Sequence, residues 1–278
     1  MSDNGWKTET VFVTRKPIRV LSLGAGVQSS ALLLAAYEGL IEPIDFSVFA
    51  DTQSEPDEVY DWLEKLKIFV ADKIKIITVS KGNLAEDILS EGRSSSIPVY
   101  LKDDSGNKGM LMRQCTYDYK IAMVYKAVRE ELGYKPRQRV FHDVRMLMGI
   151  STDEKGRMKQ NKERWIENEY PLITDLYWHR KQCIDYVKKF NLGTPPKSAC
   201  WMCPYHNDRL WLNMKNNDPK SFNKAVEFEK KLQGLKKYNN EPYLHRSLVP
   251  LSQVDFNESQ MNFQLNDFED ECEGMCGI

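Results

Sequence analysis

The chain has 278 residues, of which 41% are hydrophobic and 28% charged, and its 39 Lys and Arg against 40 Asp and Glu leave a formal net charge of −1. That length and apolar content suffice for a full core in one or two domains, and the charge balance gives no sign of broad affinity for nucleic acid or membrane. No apolar run approaches the ~18 residues needed to span a bilayer. The start Met1-Ser2-Asp3-Asn4-Gly5 lacks the charged and apolar regions of a secretion signal. A cytoplasmic location is therefore expected, where six cysteines read as metal-binding or catalytic rather than as a disulfide framework.

In chain order, residues 18–23 form a short apolar run ending in glycines, and 29–38 read as a helix. A second strand over 45–50 stops at Asp51 and Thr52. The next helix has a start signal in Ser54, three residues before Asp57 with Pro56 between them, and Val59, Trp62, Leu63 and Leu66 mark its apolar face. Residues 75–79 are a third strand, 91–108 a Ser-, Gly- and charge-rich loop, and helix resumes after Cys115 with Ile121, Val124, Tyr125, Val128 and Leu132 on one face. Residues 145–150 give a fourth strand and 179–190 a further helix. The alternation predicts an α/β fold, a parallel doubly wound sheet with helices on both faces. After Pro195-Pro196 the character changes: two helices are expected, the second capped by Asp218 with Pro219 in its first turn. From Gly234 onward an arm is expected to lie over the sheet and to carry two terminal cysteines.

Ligands of open parallel sheets bind beyond the carboxyl ends of the strands. The loop after the first strand, Ser22-Leu23-Gly24-Ala25-Gly26-Val27-Gln28-Ser29-Ser30, brings small residues to a helix start, where main-chain N–H groups approach a phosphate. A tight turn with no ligand is the plain alternative. The run is neither a Walker loop nor a full G-x-G-x-x-G. Cys115 and the distant pair Cys200 and Cys203 must come together through folding to share a site, and thiolates bind both iron–sulfur clusters and zinc. A structural zinc site of Cys115, Cys200, Cys203 and His206 stays open beside a cluster. Cys183 falls inside an apolar-periodic helix and reads as packing. In the basic stretch of Lys155, Arg157, Lys159, Lys162 and Arg164, either Arg157 or Arg164 is placed to meet phosphate or sulfate.

Together these residues resemble the phosphoadenylyl-sulfate (PAPS) reductase family of the PP-loop ATP pyrophosphatase, or adenine nucleotide alpha hydrolase-like, superfamily. The likeness covers about residues 18 to 206. The family's S-G-G-x-D-S loop falls on Gly24-Ala25-Gly26-Val27-Gln28-Ser29, and its D-T-G on Asp51-Thr52-Gln53. Its C-C-x-x-x-K helix start falls on Cys115 with Lys120, and its G-x-R segment on the run ending at Arg157. Tyr170-Pro171-Leu172-Ile173 is similar to its P-L element. Its cluster-binding G-C-x-P-C-T becomes Ala199-Cys200-Trp201-Met202-Cys203-Pro204, and its E-C-G-x-H nucleophile resembles Glu271-Cys272 and Met275-Cys276-Gly277-Ile278. The chain departs from the family at Gly24, at Gln28 in place of the acid, at the single Cys115, and in lacking the terminal histidine.

The resemblance implies an N-terminal extension (1–17), a nucleotide-binding α/β domain (18–206), and C-terminal helices with a cysteine arm (207–278). It implies nucleotide contacts from Ser22, Gly24, Ala25, Gly26, Gln28, Ser29, Asp51 and Thr52, metal ligation by Cys115, Cys200 and Cys203, and catalysis by Cys272, Cys276 and Arg157. The implied cofactors are a 4Fe-4S cluster (zinc in the alternative) and ATP or a sulfonucleotide, with magnesium accompanying ATP. Three functions follow. The first is thiol-dependent reduction of a sulfonucleotide with a thioredoxin-like donor. The second is an ATP-dependent iron–sulfur thiolase acting on a base of tRNA or DNA, with one cluster iron left open by three thiolates. The third is a non-catalytic, zinc-stabilised nucleotide sensor.

Overall fold

The computed structural model describes residues 16–90, 96–103, 106 and 108–256, so Cys272 and Cys276 lie outside the described residues. In chain order the elements are β1 (Ile18–Leu23), α1 (Val27–Glu38), β2 (Phe46–Asp51), α2 (Asp57–Val70), β3 (Lys75–Ser80) and α3 (Leu84–Leu89). Strands β4 (Tyr100–Lys102) and β5 (Lys108–Met110) follow, then a π-helical segment Thr116–Ile121 running into α4 (Ala122–Glu131). Next come β6 (Val144–Met148), a 3-10 segment Thr152–Arg157, β7 (Ile166–Glu169), α5 (Pro171–Thr174) and α6 (Arg180–Lys188). The described chain finishes with α7 (Asp208–Asn217), α8 (Pro219–Gln233), β8 (Glu241–Tyr243) and a 3-10 turn Leu251–Gln253.

Five strands form a parallel sheet in the order β3-β2-β1-β6-β7. The inner strands β1 and β2 are nearly continuous apolar runs because both faces of the sheet are covered. On one face α1, α2 and α6 pack on Leu21, Leu23, Phe49 and Leu147. On the other, α4 packs on Val20, Val48, Met146 and Met148. This is the doubly wound α/β arrangement that the alternation of elements predicts. Helix α1 is buried from Val27 to Ala36, so it is a core helix and not an amphipathic one. It stops at Gly39, whose φ of 76° only glycine adopts cheaply. The amides of Gly39 and Leu40 donate to the carbonyls of Ala36 and Ala35 at 3.2 and 2.9 Å. Each of Leu32, Leu33 and Leu34 is fully buried, worth about 1.5–3 kcal/mol apiece relative to exposure.

Four sequence expectations are corrected. Ser54 does not cap α2: its Oγ accepts from the amide of Ala85 and so ties down α3, while α2 begins at Asp57 behind the N-cap Pro56, with no side-chain cap. The 91–108 loop contains β4 and part of β5, which with β8 make a small antiparallel sheet. The segment after Gly234, as far as residue 256, does not lie over the parallel sheet. Its Leu244, Leu251, Val254 and Phe256 join Trp211, Phe222, Phe228 and Met202 in a third core beside the cysteine loop. The strand expected over 145–150 begins and ends earlier, because Gly149 leaves the sheet to pass over α1.

Candidate functional site

Chain order reverses between neighbouring strands β1 and β6, and the crevice beyond their carboxyl ends is where open α/β sheets hold ligands. The loop Gly24, Ala25, Gly26 leaves β1 there. Ala25 has φ 59° and Gln53, after β2, has φ 54°. Non-glycine residues held in the left-handed region cost about 1–3 kcal/mol each and cluster at ligand-binding loops. Gly26 is the N-cap of α1, with no side-chain cap and no acidic residue in the first turn, which leaves the positive end of the helix dipole for an anion. Gly149 crosses directly above: a Cβ there would stand 2.7 Å from the amide nitrogen of Ser29. Ser22 and Ser151 are both buried nearby, and neither hydroxyl has a hydrogen-bond partner among the described residues. Buried hydroxyls are rarely left so, and two at the strand ends fit a polar ligand.

Gln28 is locked. Its Nε2 donates to Glu154 Oε2 at 2.9 Å, and its Oε1 accepts from Arg180 Nη1 at 2.8 Å. Glu154 is in turn ion-paired to Arg157. The position that is acidic in the family loop thus serves here to pin α1 to the 3-10 segment and to α6. Arg157 lies at the carboxyl end of β6, as expected. Lys162 and Arg164 do not, because the intervening chain turns back to enter β7, so they stand at the amino ends of the strands.

At the end of β2, Asp51 Oδ1 accepts from Tyr60 Oη at 2.8 Å and from the Gln53 amide at 2.7 Å. Burial, followed by the Asp51 carboxylate, raises the Tyr60 phenol far above its ordinary value. Thr52 Oγ1 and Cys200 Sγ share a hydrogen bond of 3.3 Å. One cavity beside them is lined by Thr52, Cys115, Lys120, Cys200 and Cys203, with apolar walls from Leu84, Ile97 and Met202. The fold therefore brings the three predicted thiols to one place. Cys115 opens the π-helical segment, a distortion often found at functional sites. Cys200 and Cys203 sit on a turn closed by the Cys203 amide donating to the Cys200 carbonyl at 3.0 Å, and the Trp201 amide holds that turn to the Ser54 carbonyl at 2.9 Å.

Between these segments lies a buried ion pair, Lys120 Nζ to Glu55 Oε1 at 3.2 Å. Cys200 Sγ stands 3.7 Å from the same carboxylate oxygen. Burial raises the Cys200 thiol well above its ordinary value; Glu55 adds to this, while Lys120 and the Thr52 hydrogen bond oppose it. The donor set, three thiols in an apolar pocket, fits a thiolate-bound cluster or ion. As the side chains stand, no three of His, Cys, Asp and Glu among the described residues converge closely enough to hold a metal ion. Cys183 is fully buried in the α1–α6 core and takes no part.

His206 does not join the cysteines. It lines a separate small cavity with Lys197 and Met214, and its ring stacks edge-on to Trp211 at 4.7 Å. Burial, with the Lys197 ammonium adding, pushes its imidazole from 6.5 down to about 3. A lowered folded value stabilises the protein above the unfolded value, and that stability is lost as pH falls from about 6.5 toward 3. His206→Phe is accordingly expected to flatten the decline in unfolding free energy across that window. Urea unfolding at several pH values checks this, and an unchanged slope would contradict it.

Sequence reasoning passed over Glu55, Glu154 and Arg180. Glu55 carried a signal, as an acid four residues after the strand-ending Asp51; the other two lie in surface-like charged runs that only the fold brings to Gln28.

No family model matches the chain, and no curated protein sequence does. Among solved structures the chain is similar to a phosphoadenylyl-sulfate (PAPS) reductase from Candida auris in a phosphate complex, with 17% identity and a TM-score of 0.41 over 66% of this chain and 78% of that one. It is also similar to the U34-tRNA thiolase NcsA from Methanococcus maripaludis with its 4Fe-4S cluster, with 14% identity and a TM-score of 0.36 over 79% of this chain and 73% of that one. Both likenesses are distant, and the functional reading rests on the residues described above.

Proposed function

We propose that the protein is an enzyme of adenine-nucleotide-dependent sulfur chemistry, holding the phosphate or sulfate end of the nucleotide over the 24–29 loop with thiols acting beside it. The contact of Thr52 Oγ1 with Cys200 Sγ carries this reading, because it joins the nucleotide end of the sheet to the cavity of Cys115, Cys200 and Cys203. These three thiols would hold a 4Fe-4S cluster, which when bound supplies a redox-active, polarising centre next to the reacting sulfur. Zinc is the alternative occupant.

The leading reaction is reduction of a sulfonucleotide. A thiolate of Cys272 or Cys276 would attack the sulfonyl sulfur and release the nucleotide phosphate, leaving an S-sulfonated cysteine. A second thiol would then displace sulfite and close a disulfide, which a thioredoxin-like dithiol reduces. Arg157, in the 3-10 segment after β6, would meet the sulfate through its guanidinium fork. The locked amide of Gln28 supports this reaction over magnesium-dependent ATP cleavage, since the loop offers no carboxylate at that position. A second reading, ATP-dependent transfer of sulfur to a base of tRNA or DNA, is favoured by three thiols sharing one cavity while Cys183 stays in the core.

Protein purified without oxygen is expected to be brown and to contain iron and sulfide, and Cys115→Ser, Cys200→Ser and Cys203→Ser should each remove the colour. Sulfite release from a sulfonucleotide with a dithiol donor identifies the reductase, and magnesium-dependent AMP release the thiolase. Colourless protein with one zinc per chain, binding nucleotide but forming neither product, would contradict both and leave a sensor.

A further inference from the structure

We propose that the groove between the segments entering β6 and β7 binds single-stranded nucleic acid, whether or not the sulfur-chemistry reading holds. The groove lies at the amino ends of the strands, across the sheet from the 24–29 loop. Arg129, Arg139, Phe141, Lys162, Arg164 and Trp165 line it, together with Asp143 and Glu163. Its volume of about 720 Å³ is that of a cleft for an organic ligand rather than a hole for an ion.

Its charge and shape argue for the occupant. Four cations face two carboxylates, and one of those, Glu163, accepts from Trp165 Nε1 at 2.9 Å. Arg129 braces the wall by donating to the carbonyls of Lys135 and Gln138. Arg139, Lys162 and Arg164 have no ion-pair partner among the described residues. Gathering such charges in one cleft is unfavourable until an anion enters. Phe141 is 70% exposed, a large apolar side chain that water alone does not favour. It is nonetheless held in place, because its amide donates to Tyr134 Oη at 3.0 Å and that oxygen shares a 2.7 Å hydrogen bond with His142 Nδ1. The Arg139 guanidinium lies 5.4 Å from the Phe141 ring centre. A free phosphate or an acidic peptide would use the cations but leave the ring in water. A single strand uses both, its phosphates on the cations and an unstacked base on the ring and guanidinium plane. A duplex, with its bases stacked away, does not.

Fluorescence anisotropy of the full chain with labelled single strands of about 20 nucleotides, one RNA and one DNA, across a range of KCl tests this, since site sizes run to about 16 nucleotides. Binding should weaken linearly in log salt, by about 0.7 in slope for each phosphate neutralised on a single strand. The double variant Lys162→Glu with Arg164→Glu should lose at least about tenfold in affinity and about 1.4 in slope. Phe141→Ala should lose about fivefold or more with the slope unchanged, because stacking is not ionic. Tighter binding of the RNA would identify ribose hydroxyl contacts, and equal binding a groove that reads phosphate and base alone; either supports the proposal. Absence of binding by both strands would overturn it. So would binding that ignores these variants, or a polyglutamate competitor that displaces the strand with no dependence on Phe141.

Discussion

Replacing Lys120 with methionine is expected to lower the unfolding free energy by about 3–5 kcal/mol, the usual cost of removing one partner of a buried ion pair. The Lys120 and Glu55 side chains are only 6% and 1% exposed, with Nζ 3.2 Å from Oε1. Glu55 Oε2 has no hydrogen-bond partner among the described residues. Without the ammonium, a carboxylate remains in an apolar pocket and must take up a proton or draw in water. The double variant Lys120→Met with Glu55→Leu should recover most of the loss, since it removes both charges and substitutes packing. Urea unfolding measures this as a shift in midpoint at constant slope. A loss under about 1 kcal/mol for the single variant would mean that the pair is not buried as described. Because Glu55 also faces Cys200, the single variant should disturb the thiol cavity, whereas a purely structural pair elsewhere would not.

Gly149→Ala should weaken nucleotide binding by about two orders of magnitude, the scale of a misplacement near 1 Å in a preorganised site. The added Cβ would meet the Ser29 amide nitrogen at 2.7 Å and its Cα at 2.8 Å. Both are backbone atoms in the first turn of α1, where the proposal puts the phosphate, so no side-chain rotation relieves the contact. Overpacking of this kind also costs about 1–3 kcal/mol of stability. Gly156→Ala is the control, as nothing lies within 4 Å of its Cβ position. Calorimetry with ATP and with a sulfonucleotide should separate the two variants. Equal affinity of Gly149→Ala and the parent would place the nucleotide elsewhere.

What the sequence made legible follows from where apolar periodicity is strong. The bounds of β1 match the apolar run at 18–23 because that strand is buried on both faces. The start of α8 matches because its signal is local: Asp218 accepts from the Ser221 amide at 3.1 Å with Pro219 in the first turn. Strand β7 was not legible. Its Ile166-Glu167-Asn168-Glu169 has one buried apolar residue, as an edge strand can, and is held by register, with Glu167 opposite Arg145 and ion-paired to it. The misread capping signal at Ser54 has the same origin. A serine three residues before an acid is a local pattern, and its hydroxyl was taken by a partner 31 positions away. At the site, the thiols were legible as residues that folding must bring together, but nothing in the sequence reading placed Thr52 in the same cavity. The lattice of Gln28, Glu154, Arg157 and Arg180 depends on contacts across more than 120 positions, which no spacing rule encodes.

The most direct test of the central claim is a pair of anaerobic reactions of the full chain with adenine nucleotides, following nucleotide and sulfur products together. Reactions would contain either a radiosulfur-labelled sulfonucleotide with a dithiol donor, or ATP with magnesium, sulfide and a nucleic-acid acceptor. The account predicts a stoichiometric pairing, sulfite with the adenosine phosphate or transferred sulfur with AMP, that disappears in both Cys200→Ser and Gly149→Ala. Nucleotide turnover that survives Cys200→Ser unchanged, or no sulfur product under either set of conditions, would contradict it.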